Sequence, residues 1–353
     1  MRVGCALGYG PYAPEKTGKT VRGMFGLDPF LLSLIGTVLL ATFVPCHGAA
    51  VPVFRWLAII VIAMMFFLQG ARLSRKAVVE GLTAWRLHLM ILCCTFVLFP
   101  LLGLALHAAF PGLLQNEVWL GVLFLCCLPS TVQSSIAFTS IGGGNVPAAV
   151  CAATASNVFG IFITPFLVGL VLARHGGQSG GVMDIVFQLL LPFVLGQILQ
   201  PWIGAWAHRN KKLLSMTDRG SILIVVYTAF SDAVIQGLWH RLPLSELGLI
   251  AVVDFLLLVC VLVITAFGSR LVGMPLRDEI AVVFCGSKKT LASGVPMANV
   301  LFPPASVGLV VLPLMIYHQI QLFVCAVLAR KFAVMMKKHE AEKALLTPAE
   351  VGE

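Results

Sequence analysis

The sequence predicts an all-α polytopic membrane protein whose ten transmembrane helices form two inverted five-helix repeats. Three observations carry this. Ten apolar stretches of about 20 residues fill the chain, each long enough to cross a bilayer. The composition is 59% hydrophobic and only 11% charged, where a soluble domain carries about 25% charged residues. Two of the stretches hold polar, helix-breaking insertions at corresponding places in the two halves. Lipid tolerates such segments only where they are buried in protein or line a cavity.

The elements run in order as follows. The first 23 residues are Gly-rich, Pro-containing and basic (Gly8-Tyr9-Gly10-Pro11, Lys16, Lys19, Arg22) and lack the apolar core of a signal peptide. They read as an exposed arm, or as an extension from an upstream start codon ahead of Met24. Residues 24–335 form one ten-span domain. Repeat one, 24–175, holds spans at roughly 29–44, 52–70, 86–107, 117–141 and 146–172. Repeat two, 182–335, holds spans at roughly 182–206, 217–237, 246–268, 277–301 and 306–329. Residues 336–353 are expected to be a cytoplasmic tail.

Charge sets the orientation. With the N-terminus inside, 19 of the 24 Lys and Arg fall on the inner side and three, Arg55, Arg174 and Arg241, on the outer side. The positive-inside rule then puts both termini in the cytoplasm, in the inner membrane of a bacterium. The same rule accounts for the net charge of +9 without nucleic acid. Most of the ten cysteines lie within spans and act there as small apolar residues. No CxxC pair and no zinc-spaced His cluster occurs, so neither a disulfide framework nor a structural metal is expected, nor any cofactor. An odd number of spans per half turns the second half upside down relative to the first, and the fourth span of each half carries the break.

The first break is Pro129-Ser130-Thr131-Val132-Gln133-Ser134-Ser135. Pro129 lacks an N–H and disturbs the preceding turn. Five of the six residues after it are neutral donors and acceptors able to hold a small polar group or a cation. A single serine would bond back to its own helix; this density points to a site. The second break runs Gly286-Ser287-Lys288-Lys289-Thr290-Leu291-Ala292-Ser293-Gly294, with glycines that permit unwinding. Lys288 and Lys289 lie about 15 Å into the span at 1.5 Å per residue, too deep to snorkel. Two readings compete for them: a cationic or proton-titrating centre in a water-accessible crevice, or a structural strut with a buried carboxylate. Asp254, deep in span eight, is the candidate partner. Thr154, Ser156 and Asn157 in span five could face the first break, though each alone is a routine interhelical hydrogen bond, and His318, Gln319 and Gln321 in span ten mirror them. His318 reads as a proton carrier or as a packing residue.

Residues 128–149, LPSTVQSSIAFTSIGGGNVPAA, continuing through Asn157, resemble the fourth-to-fifth-span region of the bile acid:sodium symporter family. Residues 284–299, FCGSKKTLASGVPMAN, resemble the ninth span of its bacterial symporter-like branch, related to solute carrier family 10 member 7. The resemblance covers essentially residues 24–335. It implies two broken helices, four and nine, crossing near mid-membrane, a core domain moving against a panel domain, and secondary transport of organic anions. It assigns the crossing to Ser134 and Ser135 and to Ser287 through Ser293. Sodium-coupled members are expected to have a carboxylate near Ser287 and an Asn near Ser135. Here Lys288 and Lys289 stand in that region, and an ammonium opposes a hard cation that wants oxygen ligands. The alternatives are a lysine charge in place of sodium, proton coupling, or facilitated transport.

The function expected is secondary active transport of a small organic anion. The expected site comprises Ser130, Thr131, Gln133, Ser134, Ser135, Asn157, Asp254, Ser287, Lys288, Lys289, Thr290, Ser293 and His318. The alternative is a non-transporting membrane regulator of ion homeostasis built on the same fold. An enzyme is not expected: HExxH, GxSxG and paired catalytic carboxylates are absent.

Overall fold

The computed structural model of the protein describes residues 29–72, 85–175 and 186–346. The expected N-terminal arm, the basic residues Arg75 and Lys76, the start of span six and residues 347–353 lie outside them. Within the described residues every regular element is helical. The first half contains α1 (Pro29–Phe43), α2 (Ala50–Arg72), α3 (Trp85–Cys93), α4 (Phe99–Ala109), α5 (Asn116–Cys127), α6 (Gln133–Ile141) and α7 (Val146–His175). The second contains α8 (Leu191–Arg209), α9 (Lys211–Ile235), the short α10 (Leu238–Arg241), α11 (Leu244–Leu271), α12 (Leu276–Gly286), α13 (Leu291–Leu301) and α14 (Pro304–Leu346).

Seven helical stretches are long and apolar enough to cross a membrane: Ala50–Arg72, Trp85–Ala109, Val146–Val171, Phe187–Ala207, Lys212–Ile235, Ser245–Leu271 and Pro304–Glu342. The other three expected spans fall short for identifiable reasons. α1 is described over 15 residues. Spans 117–141 and 277–301 are each cut in two, and their halves hold 12, 9, 11 and 11 residues, each below the ~20 that a continuous spanning helix needs. The cuts are Leu128–Val132 and Ser287–Thr290, inside the two polar insertions. Outward-facing Phe43, Phe166 and Trp202 are largely exposed, as suits a surface solvated by lipid.

Two proline effects shape the bundle. α3 and α4 form one rod through a π-helical turn at Cys94–Leu98, where the Phe99 N–H reaches back to the Cys94 carbonyl. Pro100 at the start of α4 cannot donate and its ring crowds the preceding turn; the wider turn relieves this. A second π-turn, Val186–Leu190, precedes Pro192 in α8.

The helices pack in two groups. α1 lies on α9, α9 on α2, and α2 along α8. The α2–α8 crossing is very close: a Cβ on Gly70 would run into the Phe193 carbonyl oxygen, and one on Gly196 into that of Phe67. The second group comprises α3–α7 and α11–α14. α14 touches all four half-helices α5, α6, α12 and α13, and α9 meets this group through α13 and α14. The α6–α7 turn docks on the start of α12, where the Asn145 N–H donates to the Arg277 carbonyl at 2.8 Å and its side-chain amide to Asp278 at 2.7 Å.

Candidate functional site

Breaking a helix in an apolar interior orphans carbonyls at one stump and N–H groups at the other, and each must find a partner. At the first break the carbonyls are met one by one. Cys127 O accepts from the Thr164 hydroxyl at 2.9 Å. Pro129 O accepts from the Thr290 N–H at 3.0 Å. Ser130 O accepts from Asn157 Nδ2 at 2.6 Å, and the Ser130 N–H donates to Ser156 Oγ at 3.1 Å. Cys126 O and Leu128 O accept from Lys289 Nζ at 2.9 and 2.7 Å.

The second break is treated alike. Cys285 O accepts from Ser130 Oγ at 2.6 Å and Phe284 O from Ser135 Oγ at 3.2 Å. Ser287 O accepts from the Tyr317 hydroxyl at 2.7 Å, while Ser287 Oγ turns back to Val283 O at 2.6 Å. Gln321 brackets Lys289: its Oε1 accepts from the Lys289 N–H at 2.9 Å and its Nε2 donates to the Lys289 carbonyl at 2.9 Å. The remaining Gln321 N–H faces His318 Nδ1 at 2.8 Å. An amide nitrogen only donates, so Nδ1 accepts there. The two breaks are thus stitched to each other and to α7 and α14.

Lys288 and Lys289 are fully buried. This corrects the expected water-accessible crevice around the pair: with the backbone opened, both side chains turn into the protein. Lys289 Nζ also donates to Thr95 O at 2.9 Å. Lys288 Nζ has no hydrogen-bond partner and stands 3.8 Å from the centre of the Phe138 ring. The expected strut to Asp254 is absent as well. Asp254 is fully buried on α11, neither of its oxygens has a hydrogen-bond partner, and Cys126 and Tyr317 are among its neighbours. Ser293 is buried with its hydroxyl unpartnered.

A cavity of about 430 Å³ opens beside the crossing. From the expected site it takes Thr131, Gln133, Ser134, Asn157, Thr290 and His318; Thr154 joins them. Ser130, Ser135, Ser287, Ser293, Lys288, Lys289 and Asp254 do not line it. Gln133 and Ser134 are the first two residues of α6, and Leu291 and Ala292 the first two of α13. No side chain caps either helix start, so first-turn N–H groups and the positive ends of two helix dipoles meet at one space. Thr131 Oγ1 lies 2.6 Å from Ser134 Oγ. Across the cavity stand Gln69 and Arg72 from α2 and Ser215, Asp218 and Arg219 from α9. Arg72 and Asp218 pair at 2.6 Å, while Arg219 stacks 5.5 Å from the Phe30 ring. A second cavity of about 160 Å³ sits at the other end of α2 and α9, lined by Arg55, Gln188, Thr228, Asp232 and Asn299 among others. There Arg55 meets Asp232 at 3.3 Å.

Against known protein families, residues 28–334 match the family model described as SBF-like CPA transporter family. The chain belongs to the SBF-like CPA transporter family. The chain is similar to an uncharacterized Pseudomonas aeruginosa protein, 57% identical over 88% of this chain and 95% of its own length. YfeH of Escherichia coli, named as a candidate symporter, is 53% identical over 90% of this chain and 96% of its own. More distant is mouse sodium/bile acid cotransporter 7, 29% identical over 76% of this chain and 81% of its own. An SBF-like transporter is an integral membrane protein that moves a small solute through a lipid bilayer, and is not an enzyme.

For this SBF-like chain, sequence reasoning counted Arg72 and Arg219 only among the inner-side charges that set topology, and passed over Asp218. The readable signal was a carboxylate, Asp218, beside an arginine at a span entrance. Thr164, which closes the first break, carried no signal as a lone polar residue in a helix, whereas Tyr317, which closes the second, adjoins the polar group His318, Gln319 and Gln321 and was passed over.

Proposed function

We propose that the protein is a secondary active transporter of a small organic anion, working by alternating access in a bacterial inner membrane with both termini cytoplasmic. The observation that carries this reading is the convergence of the uncapped starts of α6 and α13 on the larger cavity. Helix starts attract anions, and the hydroxyls of Thr131 and Ser134, the Asn157 amide and the guanidinium of Arg219 add neutral and charged donors around the same space. The apolar walls, Val158, Ile161 and Leu322, suit an organic body behind the anionic group.

The helix arrangement supports two inverted repeats. Each break has one residue, Ser130 or Lys289, whose backbone N–H and carbonyl are both held by side chains from the fifth span of the same half. α1 packs on α9 as α8 packs on α2, which exchanges spans one and seven for six and two. In this reading α1, α2, α8 and α9 are the panel and the other helices the core, and residues 24–335 are the transport domain. The larger cavity lies at the Arg72 and Arg219 end, which the charge count makes cytoplasmic, so the arrangement is inward-facing. In the outward-facing state the smaller cavity would widen as the larger one closes. Asp254, Ser293 and the lysines act in this scheme behind the crossing and not as contacts of the solute.

The test is uptake into proteoliposomes with a panel of organic anions, cations and neutral solutes, under imposed sodium and proton gradients in turn. The expected result is uptake of at least one anion, with KM raised about 10-fold or more in Arg219→Gln, the worth of one charge-assisted contact, and unchanged thermal stability. Uptake of cations or neutral solutes alone would overturn the anion reading. No flux with any solute would favour a non-transporting regulator.

A further inference from the structure

The Lys289 Nζ lies 2.9 Å from Thr95 O, 2.9 Å from Cys126 O and 2.7 Å from Leu128 O, and 4.0 Å from the centre of the Phe99 ring. Three acceptors match the three N–H donors of an ammonium group, at distances typical of charge-assisted bonds. Each carbonyl is orphaned for a separate reason. In a regular α-helix Thr95 O would accept from the Phe99 N–H, but in the π-turn that N–H goes to Cys94 O. The next position is Pro100, which has no N–H. Cys126 O would accept from the Ser130 N–H, which instead donates to Ser156. Leu128 is the first residue beyond α5, where the helical ladder has ended.

Three orphan carbonyls in an apolar interior would each carry a desolvation cost. Aimed at one point under an aromatic face, they form a site for a cation. Lys288, one residue away, has no acceptor at all, so the two lysines are not equivalent.

We propose that this three-carbonyl cage is a binding site for a small monovalent cation of the ammonium class, filled in this protein by its own Lys289. The chain therefore carries a tethered cation at the crossing and needs no free alkali cation there, in contrast to what the name of mouse sodium/bile acid cotransporter 7 says of that protein. Occupancy of the cage is read by stability, independently of which solute is transported.

The experiment measures the thermal unfolding midpoint of purified protein in choline chloride, sodium chloride and methylammonium chloride at equal ionic strength. Wild type is expected to give the same midpoint in all three. Lys289→Ala is expected to fall on the order of 5–10 °C in choline and to regain at least half of that loss, saturably, in methylammonium. Lys288→Ala, which leaves the cage occupied, is expected to show no methylammonium response. A wild-type midpoint that rises saturably with sodium overturns the proposal, as does a Lys289→Ala loss that no small cation reverses. If Lys289→Ala does not fold in choline, expression and purification in methylammonium test the same point: recovery of folded protein supports the cage, and failure with both Lys289→Ala and Lys289→Met counts against it. A proteoliposome arm, uptake with choline replacing sodium on both sides, is expected to leave the rate unchanged.

Discussion

Replacing Gln321 with leucine removes the bracket on the unwound Lys289 backbone. The Lys289 N–H and carbonyl are held at 2.9 Å each by the two ends of one amide, and Gln321 is fully buried. Leucine fills a similar volume and offers neither group. Two buried backbone groups would then lack partners, at about 1–3 kcal/mol each, or about 2–6 kcal/mol together. At roughly 2–4 °C per kcal/mol for a larger domain, the unfolding midpoint should fall by about 4–24 °C. Gln321→Glu keeps an acceptor for the N–H but loses the donor to the carbonyl, and should fall in between. The assay is intrinsic fluorescence on heating, with six tryptophans as reporters. A Gln321→Leu midpoint within about 1 °C of wild type would refute the reasoning that side chains of α14 satisfy the break.

Three further outcomes follow from the packing and the charges. Gly70→Ala and Gly196→Ala each force a methyl into a carbonyl of the facing helix and should cost about 1–3 kcal/mol, while Gly36→Ala, with open space around it, should be neutral by the same thermal assay. Arg72→Gln breaks a 2.6 Å pair whose side chains are 31% and 21% exposed and should cost about 1–2 kcal/mol. Arg55→Gln breaks a 3.3 Å pair with an arginine 53% exposed and should cost less than about 1 kcal/mol; equal losses in the two variants would contradict this order. If, as proposed, both termini are cytoplasmic, a C-terminal fluorescent-protein fusion should glow and a C-terminal phosphatase fusion should be inactive in cells; the opposite pattern would overturn the proposed orientation.

Much of the architecture was legible in the chain. The expected starts of the interrupted spans, 117 and 277, fall one residue inside α5 and α12, and their ends, 141 and 301, coincide with those of α6 and α13; between them, Pro129 and the polar runs mark where a lipid-embedded helix cannot continue. The division of labour inside the breaks was not legible. Once a segment unwinds, helical periodicity no longer says where a side chain points, so Lys288 and Lys289 read as cavity cations although both turn inward. Ser130, Ser135 and Ser287 spend their hydroxyls on carbonyls, whereas Thr131 and Ser134 face the cavity. Arg72 and Arg219 lie far apart in sequence and meet there only through the packing of α2 against α9. The tenth span was expected to end near 329, but α14 runs to Leu346. Hydropathy reports the edge of the bilayer, while the Ala, Lys, Glu and Met residues beyond it are good helix formers.

That long helix has a mechanical consequence. At 1.5 Å per residue its 43 residues make a rod of about 65 Å, twice the thickness of the hydrocarbon core. A helix interrupted at its midpoint has no continuous ladder of hydrogen bonds and so little bending stiffness of its own. α14 lies against both pieces of both interrupted helices. It grips the second break through Tyr317 and Gln321. About 22 Å farther along it braces the α6–α7 turn with Met336, and it meets Arg277 of α12 through Glu340 at 2.8 Å. It works as a splint: one helix, continuous from Pro304 to Leu346 despite Pro313, lies against each of the four fragments and holds them in alignment.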